Sequence, residues 1–247
     1  MTKLINKALL LSVISVFSTA SMAANDWQFE LTPYLFATGV EASVPYSGAE
    51  PSEPSDDDYD FFLLDNLDGY AAATFLARQD RLSLYVDGFY ARFSDTIKRP
   101  ISGTEMDMKL GFVEGSVGYQ ILTDKDISLV VGVRNIYIDT TLDINASIGR
   151  KNVSNSFSLD RSWTDPLIGI QANFPINNNW SWSYRGDIGG GNDTDYVVQS
   201  LINVNYQMTE HTSLKMGYRY MKAELKRNPL LENITLSGLQ IGLGIQF

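Results

Sequence analysis

The sequence predicts an all-β protein: a closed antiparallel transmembrane β-barrel of ten strands, with short periplasmic turns and longer extracellular loops. Three observations lead there. Apolar and polar residues alternate with a period of two through much of the chain, the pattern of strands with one apolar and one polar face. Short polar spacers take turns with longer ones, as in bacterial outer-membrane barrels. An export signal precedes both.

The export signal comes first in the chain. Lys3 and Lys7 form a positive start, Ala8–Phe17 an apolar stretch, and Ser21-Met22-Ala23 a small-x-small cleavage pattern. Residues 1–23 are therefore expected to be a cleaved signal peptide, and 24–247 the barrel. No later segment has the roughly 18 consecutive apolar residues of a membrane-spanning helix.

The strands follow in order. In the first, Trp27, Phe29, Leu31, Pro33 and Leu35 alternate with Gln28, Glu30, Thr32 and Tyr34. The second, near 67–78, alternates poorly, and the third follows the short spacer Arg78–Arg81. In the fourth, Val113, Val117, Tyr119 and Ile121 alternate with Glu114, Ser116, Gly118 and Gln120. The fifth, near 127–145, is again irregular and follows the spacer Thr123–Asp126. In the sixth, Pro166, Ile168, Ile170, Ala172 and Phe174 form one face. The spacer Pro175–Asn179 leads to the seventh, where Trp180, Trp182, Tyr184 and Ile188 alternate with Ser181, Ser183, Arg185 and Asp187. The eighth and ninth flank the spacer Thr209–Thr212, and the tenth runs Leu239 to Phe247 with Gln and Gly on its polar face. Longer connections are expected near 44–66, 95–105, 146–156, 189–195 and 226–233. An even strand count returns the chain to the end where it started. Trp27, Tyr119, Phe174, Trp180, Tyr206 and Phe247 fall on apolar faces near the short turns, where an interfacial aromatic girdle belongs.

Several segments carry a family likeness. They are Trp27-Gln28-Phe29-Glu30-Leu31-Thr32-Pro33-Tyr34-Leu35, Asp65-Asn66-Leu67-Asp68, the W-x-D-P-x-x-G run Trp163–Gly169, Gly186-Asp187-Ile188-Gly189-Gly190, and Gly217-Tyr218-Arg219-Tyr220. Together they resemble a broad proteobacterial family of outer-membrane β-barrel proteins of mostly uncharacterised function. The resemblance implies a barrel in the cell outer membrane and no particular activity. It breaks at Gly191-Asn192-Asp193, where the family carries an aromatic and a serine before the acid, and at Leu76, where an acid is expected. The terminal Phe247 resembles the signal by which such barrels engage their assembly machinery.

Composition narrows the chemistry. The chain has 29 acids against 19 Lys and Arg, a net charge of −10, with no basic patch for nucleic acid. It has no cysteine and one histidine, His211, which falls in a short turn. No complete nucleophile–base–orienter set can be named, so no enzyme, cofactor or metal site is expected.

The polar faces direct Glu30, Asp87, Glu114, Asp165 and Asp187 into the lumen together with Arg134, Arg185 and Arg219. Two readings follow. One is a narrow, porin-like passive channel for small cationic or neutral solutes, its five acids exceeding its three arginines. The other is a non-conducting barrel, plugged by Arg–carboxylate pairs and acting through its acidic extracellular loops. A barrel of about eight strands is filled by its own side chains while one of 16–18 is open, and ten lies near the filled end. The loop 44–66 holds seven acids and no base, oxygen donors for divalent cations without the spacing of an EF-hand. Lipid, lipopolysaccharide and such cations are the expected partners.

Overall fold

A computed structural model describes residues 27–43, 67–99, 102–122, 125–148, 151–226 and 233–247. The signal segment 1–23 and the acidic segment 44–66 lie outside them. The strands are β1 (Gln28–Ser43), β2 (Leu67–Gln79), β3 (Leu82–Arg99), β4 (Ser102–Gln120), β5 (Asp126–Ile148), β6 (Lys151–Pro175), β7 (Trp180–Gly189), β8 (Thr194–Gln207), β9 (Thr212–Leu225) and β10 (Asn233–Gln246). Each pairs antiparallel with its chain neighbours, and β1 pairs with β10 to close the ring. Ten strands and closure are as the alternation predicts.

Two of the expected long loops are strands instead. β3 and β4 stay in register out to Arg99↔Ser102, and β5 and β6 out to Ile148↔Lys151. The segments near 95–105 and 146–156 are thus the tips of long hairpins. They read as loops because Gly, Pro and charged residues concentrate there, as in Lys98-Arg99-Pro100 and Gly149-Arg150-Lys151. At the other end the turns are tight. The β2–β3 turn needs only Asp80-Arg81, and Asp80 takes φ of 50°, the left-handed conformation that two-residue hairpin turns favour.

The outer surface is the apolar one. Leu84, Val86, Val117, Val131, Val133 and Ile168 face outward and are each at least 40% exposed. Such a continuous apolar belt does not face water in a soluble monomer. The belt ends at a ring of charge, where Arg92 pairs with Asp107 at 2.6 Å and Lys109 with Asp139 at 2.7 Å. From Leu82 to Arg92 along β3 is ten residue steps, or about 33 Å. A tilt of roughly 40° leaves a height of about 25 Å, the thickness of the apolar band of an outer-membrane barrel.

Aromatic rings border the belt at both margins. At the short-turn margin Phe174 stacks on Trp182 at 4.5 Å and Trp180 meets Tyr206 at 4.7 Å, and Tyr119 on β4 is exposed on the outer wall. Phe247 packs on Phe29 at 5.9 Å and exchanges two backbone hydrogen bonds with it, which ties the last residue to the first strand. Trp27 stacks on Phe29 at 6.4 Å but borders the mouth of the lumen. Phe29 and Phe247 border the same mouth, where the rim of the barrel brings its inner and outer faces together. At the opposite margin Tyr90 stacks on Tyr137 at 6.2 Å, just below the ring of charge.

Candidate functional site

The inward faces of the ten strands build a lumen in three layers. Lowest, at the short-turn end, is a polar vestibule of about 630 Å³. Asn173, Ser183, Asn203, Asn205, Gln207 and Gln246 line it, inward because each alternates with an apolar outward neighbour. Glu30 projects here and is ion-paired with Lys215, with Gln246 donating to its other oxygen at 3.3 Å. Leu76 lines the same cavity, on the rung that pairs with Glu30. His211 sits exposed at the rim, in the β8–β9 turn. The side-chain oxygens of Asn203, Asn205, Ser213 and Gln240 have no hydrogen-bond partner among the described residues, and a polar cavity of this size has room for the water such groups require.

The middle layer is charged and closed. Arg134 donates through Nη2 to Glu114 at 2.6 Å and to Asp187 at 2.8 Å, and through Nε to Glu114 at 3.1 Å. Arg185 pairs with the other oxygen of Glu114 and donates to Ser116 at 2.9 Å. Gln199 completes the set by donating to Asp187 at 3.3 Å. Beside this cluster, Arg219 pairs with Asp87 at 2.7 Å, while the Tyr34 and Tyr85 hydroxyls donate to Asp87 at 2.9 and 3.2 Å. Tyr85 joins the two clusters, since the Arg185 guanidinium lies 4.2 Å above its ring. Asp87, Glu114 and Arg219 are 0% exposed.

Of the eight predicted lumen charges, six meet in this layer and two do not. Glu30 lies below, paired with a lysine. Asp165 lies above, beside the β7–β8 connection, and accepts from the Thr194 hydroxyl at 2.5 Å. Thr194 also accepts from the Gly191 amide at 3.0 Å, so this carboxylate orders the connecting loop. The middle layer therefore carries three acids and three arginines, with no acid excess. Lys215 adds a ninth inward charge, since it stands between outward Leu214 and Met216 and the alternation directs it inward.

The upper layer is apolar. Phe36, Phe89, Phe93, Leu110, Phe112, Ile136, Trp163, Met221 and Leu236 pack inside the barrel, each 4% exposed or less. The sequence pattern does not announce this interior core. Along Leu110–Val113 and Ile136–Ile138 apolar residues lie on both faces, which erases the period-two signal, while Phe93, Trp163 and Leu236 alternate with polar neighbours and so point inward against the pattern of the lipid belt. The Arg219 guanidinium marks the boundary, within 5.1–5.6 Å of the Tyr34, Phe36 and Phe112 rings.

A closed ten-stranded barrel with an apolar outer belt, aromatic margins and a layer of charged groups buried in its lumen is an integral outer-membrane protein, and the chain belongs in the outer membrane of a Gram-negative bacterium. No family model matches the sequence, and no curated protein matches it. Among solved structures it is similar to the outer membrane protease OmpT of Escherichia coli, at 10% identity over 93% of this chain and 100% of that one, TM-score 0.45. It is similar to Ail, the attachment invasion locus protein of Yersinia pestis, at 10% identity over 91% and 100%, TM-score 0.38. It is also similar to Neisserial surface protein A, at 14% identity over 90% and 97%, TM-score 0.37. At these scores no residue and no activity is carried across.

Proposed function

We propose that this protein is a non-conducting outer-membrane barrel that works through its surfaces and not through an aqueous pore. The observation that supports this reading is the middle layer, where three carboxylates and three arginines neutralise one another at hydrogen-bond distance with no exposed charge. An ion passing the layer must either enter with little of its hydration or pull apart buried pairs, and both are expensive. Above the layer it meets the apolar core. The vestibule is then a blind pocket open to the periplasm. The outward-acting part is the extracellular end, where the acidic segment 44–66 joins β1 to β2 and meets lipopolysaccharide through bridging divalent cations. The C-terminal Phe247 engages the assembly machinery.

Planar-bilayer recording of the refolded mature chain under a salt gradient tests the reading. Folded, inserted protein is expected to give no discrete conductance steps. Removing two of the layer's three arginines together (Arg134→Ala with Arg185→Ala) is expected to open it. Steady cation-preferring steps from the unaltered protein would overturn the proposal and restore the narrow channel.

A further inference from the structure

The wall of the barrel is split at one place. β1 and β2 are in register from Gln28↔Arg78 only as far as Pro33↔Ala73. Beyond that rung β1 continues to Ser43, paired on its other side with β10 out to Ser43↔Asn233. β2 likewise keeps its partner β3 down to Leu67↔Phe93. Both strands are therefore ordinary ladder members on one side and part company on the other. Pro33 sits at the fork. It has no N–H for β10, and that ladder is interrupted between Leu31↔Ile245 and Tyr34↔Gly242.

A side chain stands where the missing ladder would be. The Phe36 amide donates to the Tyr70 hydroxyl at 2.6 Å, and that hydroxyl donates to the Tyr34 carbonyl at 3.3 Å. These are backbone groups of β1 that a paired β2 would have satisfied. One phenol thus holds the seam without zipping it.

The seam contains a cavity of about 490 Å³. Outward-facing Leu35, Leu239 and Ile241 line it, and so do inward-facing Phe36, Phe89 and Phe93. It therefore reaches both faces of the wall, from the lipid belt to the interior core. No charged residue lines it; the polar groups are Thr38, Tyr70 and Gln240. Leu35 and Leu239, at its outer lip, are 61% and 68% exposed, at the level of the acyl tails. Dry apolar cavities far smaller, about 150 Å³, take up apolar guests, and small-molecule sites run roughly 300–1,000 Å³.

We propose that the β1–β2 seam is a lateral binding site for one hydrocarbon chain, the acyl chain of a membrane lipid entering sideways from the outer leaflet. An acyl chain brings no polar group that the lining must satisfy. Its headgroup stays at the interface, since the cavity offers no charge to receive it. The Asp87–Arg219 layer beneath sets the depth to which the chain can reach.

The test uses the full mature chain, refolded in phosphatidylcholine vesicles doped with phosphatidylcholine that carries a diazirine near the end of one acyl chain. After irradiation, adducts are located by mass spectrometry. Outward residues such as Leu84 and Val117 are labelled by surrounding lipid in proportion to the dopant. Inward Phe89, Ala91 and Phe93 are expected to be labelled as well, and to saturate as the dopant rises. Ala91→Trp, which fills the cavity from within, is expected to lose the inward adducts and keep the outward ones. The saturation test needs no variant and decides the matter even if Ala91→Trp folds poorly. Adducts confined to outward residues of a folded barrel would overturn the proposal, and a seam occupied by the protein's own chain gives that result.

Discussion

Arg134 is the side chain on which the closed layer depends most. It bridges Glu114 and Asp187 with both partners and itself no more than 1% exposed. Replacing it by methionine keeps most of the volume and removes the charge. Glu114 keeps the Arg185 guanidinium, but Asp187 keeps only Gln199 at 3.3 Å and an Arg185 nitrogen at 3.8 Å. Removing one partner of a buried pair costs roughly 3–5 kcal/mol, because the carboxylate left behind is uncompensated. Arg134→Met is therefore expected to lose about 3–5 kcal/mol of stability. Neutralising the stranded acid as well, in Arg134→Met with Asp187→Asn, is expected to return about 2 kcal/mol or more, the size of coupling found between contacting residues. Urea titration of the chain in phospholipid vesicles, followed by tryptophan emission, measures both. A single variant within about 1 kcal/mol of the parent, or a double variant that is merely additive, would refute the closed network.

Other consequences follow from the same geometry. Tyr70→Phe deletes the hydroxyl that serves two backbone groups of β1; it is expected to cost about 1–3 kcal/mol and to speed amide exchange at Phe36 while leaving β5 amides unchanged. Lipids brominated near the headgroup are expected to quench Trp180 and Trp182 but not Trp163, which is 4% exposed and faces the lumen. Single-tryptophan variants read this directly, and quenching of Trp163 would reverse the assigned faces. Deleting Phe247 removes two backbone hydrogen bonds and a ring contact to Phe29. Cells are expected to hold less folded barrel, seen as loss of the heat-modifiable band on gels, while refolding of purified protein into vesicles changes less.

What the sequence makes legible depends on what lies on each side of a strand. Where one face meets lipid and the other the polar vestibule, as in β7 and the end of β10, alternation is clean and every face can be assigned. Where the lumen is itself apolar, as along Leu110-Gly111-Phe112-Val113 or Ile136-Tyr137-Ile138, both faces are apolar and the period vanishes. This is why β5 reads poorly and why the interior core escapes notice. Where a hairpin tip concentrates Gly and charge, as in Gly149-Arg150-Lys151, the composition reads as a loop although β5 continues to Ile148 and β6 begins at Lys151. Eight inward charges are legible because a charge among apolar neighbours can point only one way, and by the same rule Lys215 belongs with them. Their grouping is not, since which acid meets which arginine depends on register around the ring, and register is invisible in a single strand. The β1–β2 seam leaves one trace, Pro33, and nothing in the residues themselves says that the ladder ends there.

The charged layer and the apolar core above it are best understood together. A ten-stranded ring is too wide to be filled by a single tier of aliphatic side chains and too narrow to hold an open channel without constriction. Long arginines solve the first problem, because their stems and planar heads reach across the lumen and bond carboxylates on distant strands: Arg134 on β5 joins β4 to β7, and Arg219 on β9 joins β3. The same layer divides two environments that cannot mix. The vestibule ends at Arg185 and Tyr85, and the aromatic faces of Tyr34, Phe36 and Phe112 begin directly against the Arg219 guanidinium. Anything apolar that enters through the β1–β2 seam thus finds a floor it cannot cross, since crossing would bury a hydrocarbon chain among charges that need their partners. A hydrocarbon guest leaves by the way it came, and the barrel holds such a chain without carrying it to the periplasm.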